Sequence, residues 1–290
     1  MTRDKSYRAI LAIFAVYSAL IGIIPAARLA PGPPVQLAVL AAGLLLYSVR
    51  AIPDAISRWL YYLLLTGSYQ ALRFAVTSYS GMYHGTDVMA AERALFGGTI
   101  PSVVLQQALH AGATSWYDYV LAVLHASLFA FPIALPAILL ARRGAEAMKR
   151  STVALVLLSC AGYLTYVLYP LTPPWISSLE GDLQGVDRVV FKALREIAGP
   201  WLTTAFQPCP RAAMPSLHAG LPFMVLLIAL REFGRRAWWI SLPVAGIWFA
   251  IVYGAEHYVI DLIAGVAYGA AAFLAVYGTS GKGEADGRHP

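Results

Sequence analysis

Long apolar runs separated by short polar stretches dominate this chain. Eight can be read, over roughly 9–25, 35–49, 59–79, 117–141, 151–170, 215–231, 237–254 and 258–278. Most approach the ~20 residues that an α-helix needs to cross a bilayer. The pattern therefore predicts an all-α polytopic membrane protein with about eight transmembrane helices. The run at 35–49 is short for a span. The first run follows Arg3, Lys5 and Arg8 and precedes IPAARLA, as a signal peptide would. Its apolar length exceeds the usual ~7–15-residue signal core, which favours a retained span.

Two longer segments interrupt the pattern, 80–116 and 171–214. In the second, Leu183, Val186, Val190, Leu194 and Ile197 recur at three- and four-residue steps, with Arg188, Lys192 and Arg195 among them. That spacing fits a helix lying at the membrane surface, or an ordinary helix packed on the bundle. Residues 279–290, TSGKGEADGRHP, are polar and Gly-rich and predict a disordered tail.

Composition supports the membrane reading. The 290 residues are 59% hydrophobic and 12% charged, against ~25% charged in a soluble domain. A net charge of +6 raises the question of nucleic acid, but the positions of the basic residues argue for topology instead. With the amino terminus inside, Arg3, Lys5, Arg8, Arg50, Arg58, Arg142, Arg143, Lys149, Arg150, Arg231, Arg235, Arg236, Lys282 and Arg288 share the inner side. Only Arg28, Arg93, Arg188, Lys192, Arg195 and Arg211 fall outside, and Arg73 lies within a span. This bias follows the positive-inside rule and makes both termini cytoplasmic. Cys160 and Cys209 form neither a metal-binding spacing nor a disulfide framework.

Candidate chemistry concentrates in two stretches, CPRAAMPSLHAG at 209–220 and EHYVIDLIAG at 256–265. Each places a histidine, His218 or His257, where an apolar helix begins. The charge-derived topology puts both helix starts on the outer face, where the two imidazoles can meet. Asp261 follows His257 by four residues, so a helix stacks them on one face. Phosphoryl transfer needs a nucleophile, an acid for the leaving oxygen, and positive groups around phosphorus. His257, oriented by Asp261, suits the first role and His218 the second. Ser216 is placed to cap the helix that starts after Pro215, leaving N–H groups for an anion. Arg211 is the guanidinium on the same loop, and Arg73 is a further candidate that could equally be paired or snorkel.

Other polar residues have quieter readings. Glu256 is off the face of His257 and reads as solvated. His125 lies within the fourth span, where packing or a supporting polar role would explain it. His84, Asp87 and Glu92 are candidates for head-group contact. Two histidines and a carboxylate can also hold zinc, yet no HExxH or cysteine pair is present and an arginine nearby suits an anion better. Neither a metal nor a cofactor is expected.

PSLHAG resembles the PSxH signature of the type 2 phosphatidic acid phosphatase superfamily, and His257 with Asp261 resembles its HxxxD signature. The family's basic first signature, KxxxxxxRP, is absent, and its place corresponds to YPLTPPW, Tyr169 to Trp175. Ile251 stands where the third signature carries an arginine. Both departures resemble the branch that contains inositol phosphorylceramide synthases, as do ERALFGG with Pro101 and the YPLTPP turn. The resemblance covers about 59–278. It implies a six-helix phosphatase-like catalytic core over 59–278, and the two transmembrane helices read from the apolar pattern in 1–58 lie outside it. It also implies His257 as nucleophile through a phosphohistidine, Asp261 as its partner and His218 as acid.

The resulting expectation is a phosphotransferase in the inner or plasma membrane with its active site on the extracytoplasmic face. It would cleave a lipid phosphoester and pass the phosphoryl-bearing head group to a lipid or polyol acceptor. With water as acceptor, the same residues make a lipid phosphate phosphatase acting on phosphatidic acid or a polyprenyl diphosphate. A non-catalytic lipid carrier is the third reading, although carriers usually place polar groups near the midplane on broken helices.

Overall fold

The computed structural model describes residues 83–200 and 211–278, together with residues 8–10, 12, 13, 15, 16, 41, 42, 45, 59 and 60. Among them are ten α-helices and one 3₁₀ segment. Helices α1 (Thr86–Leu95) and α2 (Pro101–Leu109) precede α3 (Trp116–Ser127), α4 (Phe131–Arg143) and α5 (Ala145–Leu168). Short helices α6 (Pro174–Leu179) and α7 (Val189–Ala198) lead to α8 (Leu217–Phe233). The 3₁₀ segment Gly234–Ile240 then joins α8 to α9 (Ser241–Tyr253), and α10 (Val259–Tyr277) follows. The runs at 9–25, 35–49 and 59–79, and Arg73 with them, lie wholly or mostly outside the described residues. So does the tail from Thr279.

Ala145–Leu168, Leu217–Tyr253 and Val259–Tyr277 are long and apolar enough to cross a membrane. The middle stretch is a hairpin. Gly234, at φ +73°, ends α8 in a conformation that glycine adopts without steric cost, and α9 returns beside it. The Trp248 indole N–H on α9 donates to the Ala219 carbonyl on α8 at 3.3 Å, which pins the two arms together.

Two expected spans take a different form. The run at 117–141 divides into α3 and α4, which meet at 54°. The run at 151–170 belongs to a helix that starts at Ala145, six residues before the apolar pattern does. Its polar first turns are kept inside by local bonds. Lys149, 3% exposed, pairs with Glu146 at 2.6 Å, and Ser151 and Thr152 both donate to the Met148 carbonyl. Apolarity alone does not register such a start.

The largest apolar cluster joins Leu155, Leu158 and Tyr166 of α5 to Leu217, Met224 and Ile228 of α8 and Ala272 of α10. Ile10, from the first run, is buried in the same cluster. The segment expected to be one helix over 183–197 is helical only from Val189, and Leu183 and Val186 are buried in the preceding loop in a separate cluster. Helix α7 packs Val189, Val190 and Ala193 against α3 and α9. Ser115 and Asp118 form a reciprocal capping box at the start of α3, which satisfies two otherwise unpaired backbone donors there.

Candidate active site

Helices α8 and α10 cross through their glycines. A Cβ on Gly265 would overlap the Ser216 carbonyl. One on Gly220 would lie 2.5 Å from the Gly265 carbonyl oxygen, and one on Gly269 2.7 Å from that of Gly220. Small residues let helix backbones approach in this way. The contact is sealed where the Ser216 N–H donates to the Asp261 carbonyl at 2.9 Å. Each helix carries its chemistry at this crossing.

The expected residues converge there. His257 Nδ1 lies 2.8 Å from Asp261 Oδ2, and His257 Nε2 lies 2.9 Å from His218 Nδ1. A carboxylate only accepts, so an ionised Asp261 places the His257 proton on Nδ1 and leaves the lone pair on Nε2. His218 Nδ1 is then the donor. The line Asp261–His257–His218 thus points a basic nitrogen at a protonated one, with a contact between them that a phosphoryl group must open. Asp261 is fully buried.

The turn before α10 is tightly held. The Glu256 and His257 N–H groups both donate to the Ile251 carbonyl, at 2.9 and 3.1 Å, and the Ala255 carbonyl accepts from the Trp175 N–H at 3.0 Å. Trp175 ends the YPLTPPW turn. Leu171 of that turn forms isolated bridges to His84 and to Ala212. The position of the absent basic signature is therefore tied to both histidine loops, although it contributes no cation.

Ser216 caps α8 as expected, its Oγ accepting from the Ala219 N–H at 3.2 Å. Arg211 is held at the rim. Its Nη1 donates to Thr172 Oγ1 at 2.7 Å, its Nη2 to Glu180 at 2.6 Å, and its guanidinium lies 3.8 Å over the Tyr83 ring.

Glu256 is not solvated. It is 5% exposed and takes a bidentate bond from Arg188, at 2.6 Å from Nε and 3.0 Å from Nη2. Burial works against its ionised form, yet the Arg188 charge holds the carboxyl below its usual range. Arg188 stacks on Trp175 and Phe191, 4.3 and 3.7 Å from their centroids. Sequence reasoning left Arg188 as one basic residue of an amphipathic segment, because no spacing connects it to Glu256.

Nor does Glu92 face outward. It is fully buried, and its two carboxylate oxygens accept from the Val259 and Ile260 N–H groups, each at 3.1 Å. A carboxylate from α1 thus caps α10, a partner that no local pattern announces. His84 and Asp87 do reach the surface. His84 bonds Asp87 at 2.7 Å and stacks on Tyr169, whose hydroxyl also donates to Asp87. Burial pushes the Asp87 carboxyl up, but these bonds outweigh it and hold the group at about 2.

This architecture and site have a family. Residues 86–275 match the model of the PAP2 superfamily, and the chain belongs to it. Over 193 residues it is 24% identical to the phosphoinositol dihydroceramide synthase of Bacteroides thetaiotaomicron, covering 60% of this chain and 61% of that protein. Over 160 residues it is 26% identical to the inositol phosphorylceramide synthase of Candida albicans, covering 52% of this chain and 33% of that protein. These similarities support the inositol phosphorylceramide synthase-like branch of the superfamily. The chain spans less than two thirds of the length of either relative. No solved structure matches it.

Proposed function

We propose that this protein is a membrane lipid phosphotransferase that works through a phosphohistidine on the extracytoplasmic face. The observation that carries the proposal is the hydrogen-bonded line from buried Asp261 through His257 to His218. In the first step His257 Nε2 attacks phosphorus, a P–N bond forms and the P–O bond to the lipid alcohol breaks. His218 gives its proton to the departing oxygen. In the second step an acceptor hydroxyl loses its proton to His218, its oxygen bonds phosphorus, and the P–N bond breaks. Asp261 keeps the His257 ring in the productive tautomer and stabilises the charge it acquires. The first turn of α8 offers N–H groups and a helix dipole to the phosphoryl oxygens behind the Ser216 cap. Arg188 and Arg211 supply positive charge around that position, and Arg73 keeps its place as a third candidate. The names of the two relatives favour a phosphoinositol head group as cargo and a sphingoid lipid as acceptor.

The test uses purified protein in detergent with a panel of phospholipids and lipid phosphates, and with lipid alcohols and inositol as acceptors. Free phosphate and new lipid species are followed together by mass spectrometry. New phosphoester lipids, absent with His257→Ala, are the expected result. Free phosphate alone, lost in that variant, would make the protein a phosphatase. Turnover retained by His257→Ala would overturn the mechanism.

A further inference from the structure

His125 has no part in the steps above, yet its surroundings resemble those of a ligand-binding group. It sits on α3 in the last turn before the bend and is 6% exposed. Neither ring nitrogen has a hydrogen-bond partner among the described residues. Leaving a buried donor or acceptor unpaired costs on the order of 1–3 kcal/mol, and native proteins rarely tolerate it. The ring meets His218 edge-on, with centroids 5.2 Å apart and planes at 88°. Phe129, from the bend itself, closes on the same ring at 6.4 Å.

His218 therefore lies between two imidazoles. His257 takes its Nδ1, and His125 lies against the ring without bonding it. In the reaction proposed above, the oxygen that His218 serves always belongs to an alcohol, first departing and then arriving. By microscopic reversibility both alcohols occupy one position. That position has to adjoin His218, and a hydrogen-bond donor there would favour the negative charge that develops on the oxygen. The lining of α3 suits a lipid alcohol. Leu121 and Ala122 on the His125 face of α3 and Leu128 in the bend are buried, while Phe129, beside His218, is partly exposed.

Resting on that functional reading, we propose that His125 determines specificity for the lipid alcohol, one ring N–H donating to the hydroxyl oxygen that His218 protonates and deprotonates. Binding of the alcohol satisfies the orphaned imidazole, and the apolar surface at Phe129 adjoins the chains. Water gains nothing from that surface or from a lipid-sized site, so an alcohol held by His125 favours transfer over hydrolysis.

The experiment measures binding of dioleoylglycerol by native mass spectrometry to the wild type and to His125→Phe and His125→Gln. Thermal melting is recorded alongside as a check of folding. His125→Phe is expected to weaken binding about tenfold through loss of one buried hydrogen bond. His125→Gln, which keeps an N–H donor, should stay within about threefold of the wild type. In turnover, His125→Phe should raise the KM for the lipid alcohol and shift products from transferred lipid toward the water-released phosphorylated head group. Unchanged binding by a folded His125→Phe would overturn the proposal. Collapse of both His125 variants on melting would also overturn it, making the residue structural. Failure of the functional reading is a separate result, read from turnover that survives in His257→Ala.

Discussion

Glu92 acts away from the reacting atoms by capping the helix that carries Asp261. Burial pushes its carboxyl up to about 7, against the two backbone N–H groups it accepts from and with the charge of Asp261 adding to the rise. A folded-state pKa above the ordinary 4.5 means that the group's contribution to stability is complete below that value. It is lost as pH rises through about 7. Glu92→Ala should therefore have a lower melting temperature than the wild type, and a smaller decline in it between pH 4.5 and 7.5. Melting in detergent at a series of pH values checks both. The Arg188–Glu256 pair makes a second residue-scale case. Removing Arg188 leaves a carboxylate buried one residue from His257, and breaking such a pair costs about 3–5 kcal/mol. Arg188→Ala combined with Glu256→Gln should cost clearly less than the two single changes added together, which a double-mutant cycle measures.

At the scale of elements, the distance between the two histidines is set by the α8–α10 crossing. Gly265→Ala forces the Ser216 carbonyl away, and both neighbours are backbone, so the helices must separate. A displacement of about 1 Å at a reacting centre can cost ~10²-fold in rate. Gly265→Ala should lose activity on that order while remaining helical by circular dichroism. Gly246→Ala provides the comparison. Its Cβ would meet only the end of the Leu124 side chain, at 2.9 Å, and a rotamer change there should keep activity within a few-fold. The bend between α3 and α4 belongs to this scale too, because it brings Phe129 onto His218 next to His125.

At the scale of the whole molecule, among the described residues, Arg143 and Arg150 lie at the end of the helices opposite His218 and His257. The Arg143 guanidinium lies 5.3 Å over Phe233, and that of Arg150 lies 4.8 Å over Tyr277. The last turns of α4, α8 and α10 and the start of α5 therefore meet at one end, while His218 and His257 mark the other. Such an arrangement predicts that the site faces away from the cytoplasm. In a Cys209→Ser background, a cysteine at Asp182 should react with an impermeant maleimide on intact cells. One at Arg235 should react only after permeabilisation. The reverse pattern would invert the topology.

Much of this protein is legible along the chain because the physics involved is short-ranged. Helical periodicity joins His257 to Asp261 within one turn, Ser216 caps the helix three residues before Ala219, and apolar length marks the spans from α5 to α10. Charge counting goes one step further by placing two helix starts on one face. The remaining features needed the fold. Arg188 meets Glu256 across 68 residues and Glu92 reaches Val259 across 167, separations that carry no periodic signal. The polar start of α5, the break at 128–130 and the orphaned His125 likewise depend on neighbours from other helices. A local pattern states which face of a helix is apolar and how the helix ends. Which buried polar groups find partners, and which are left for a ligand, is decided only when the helices pack.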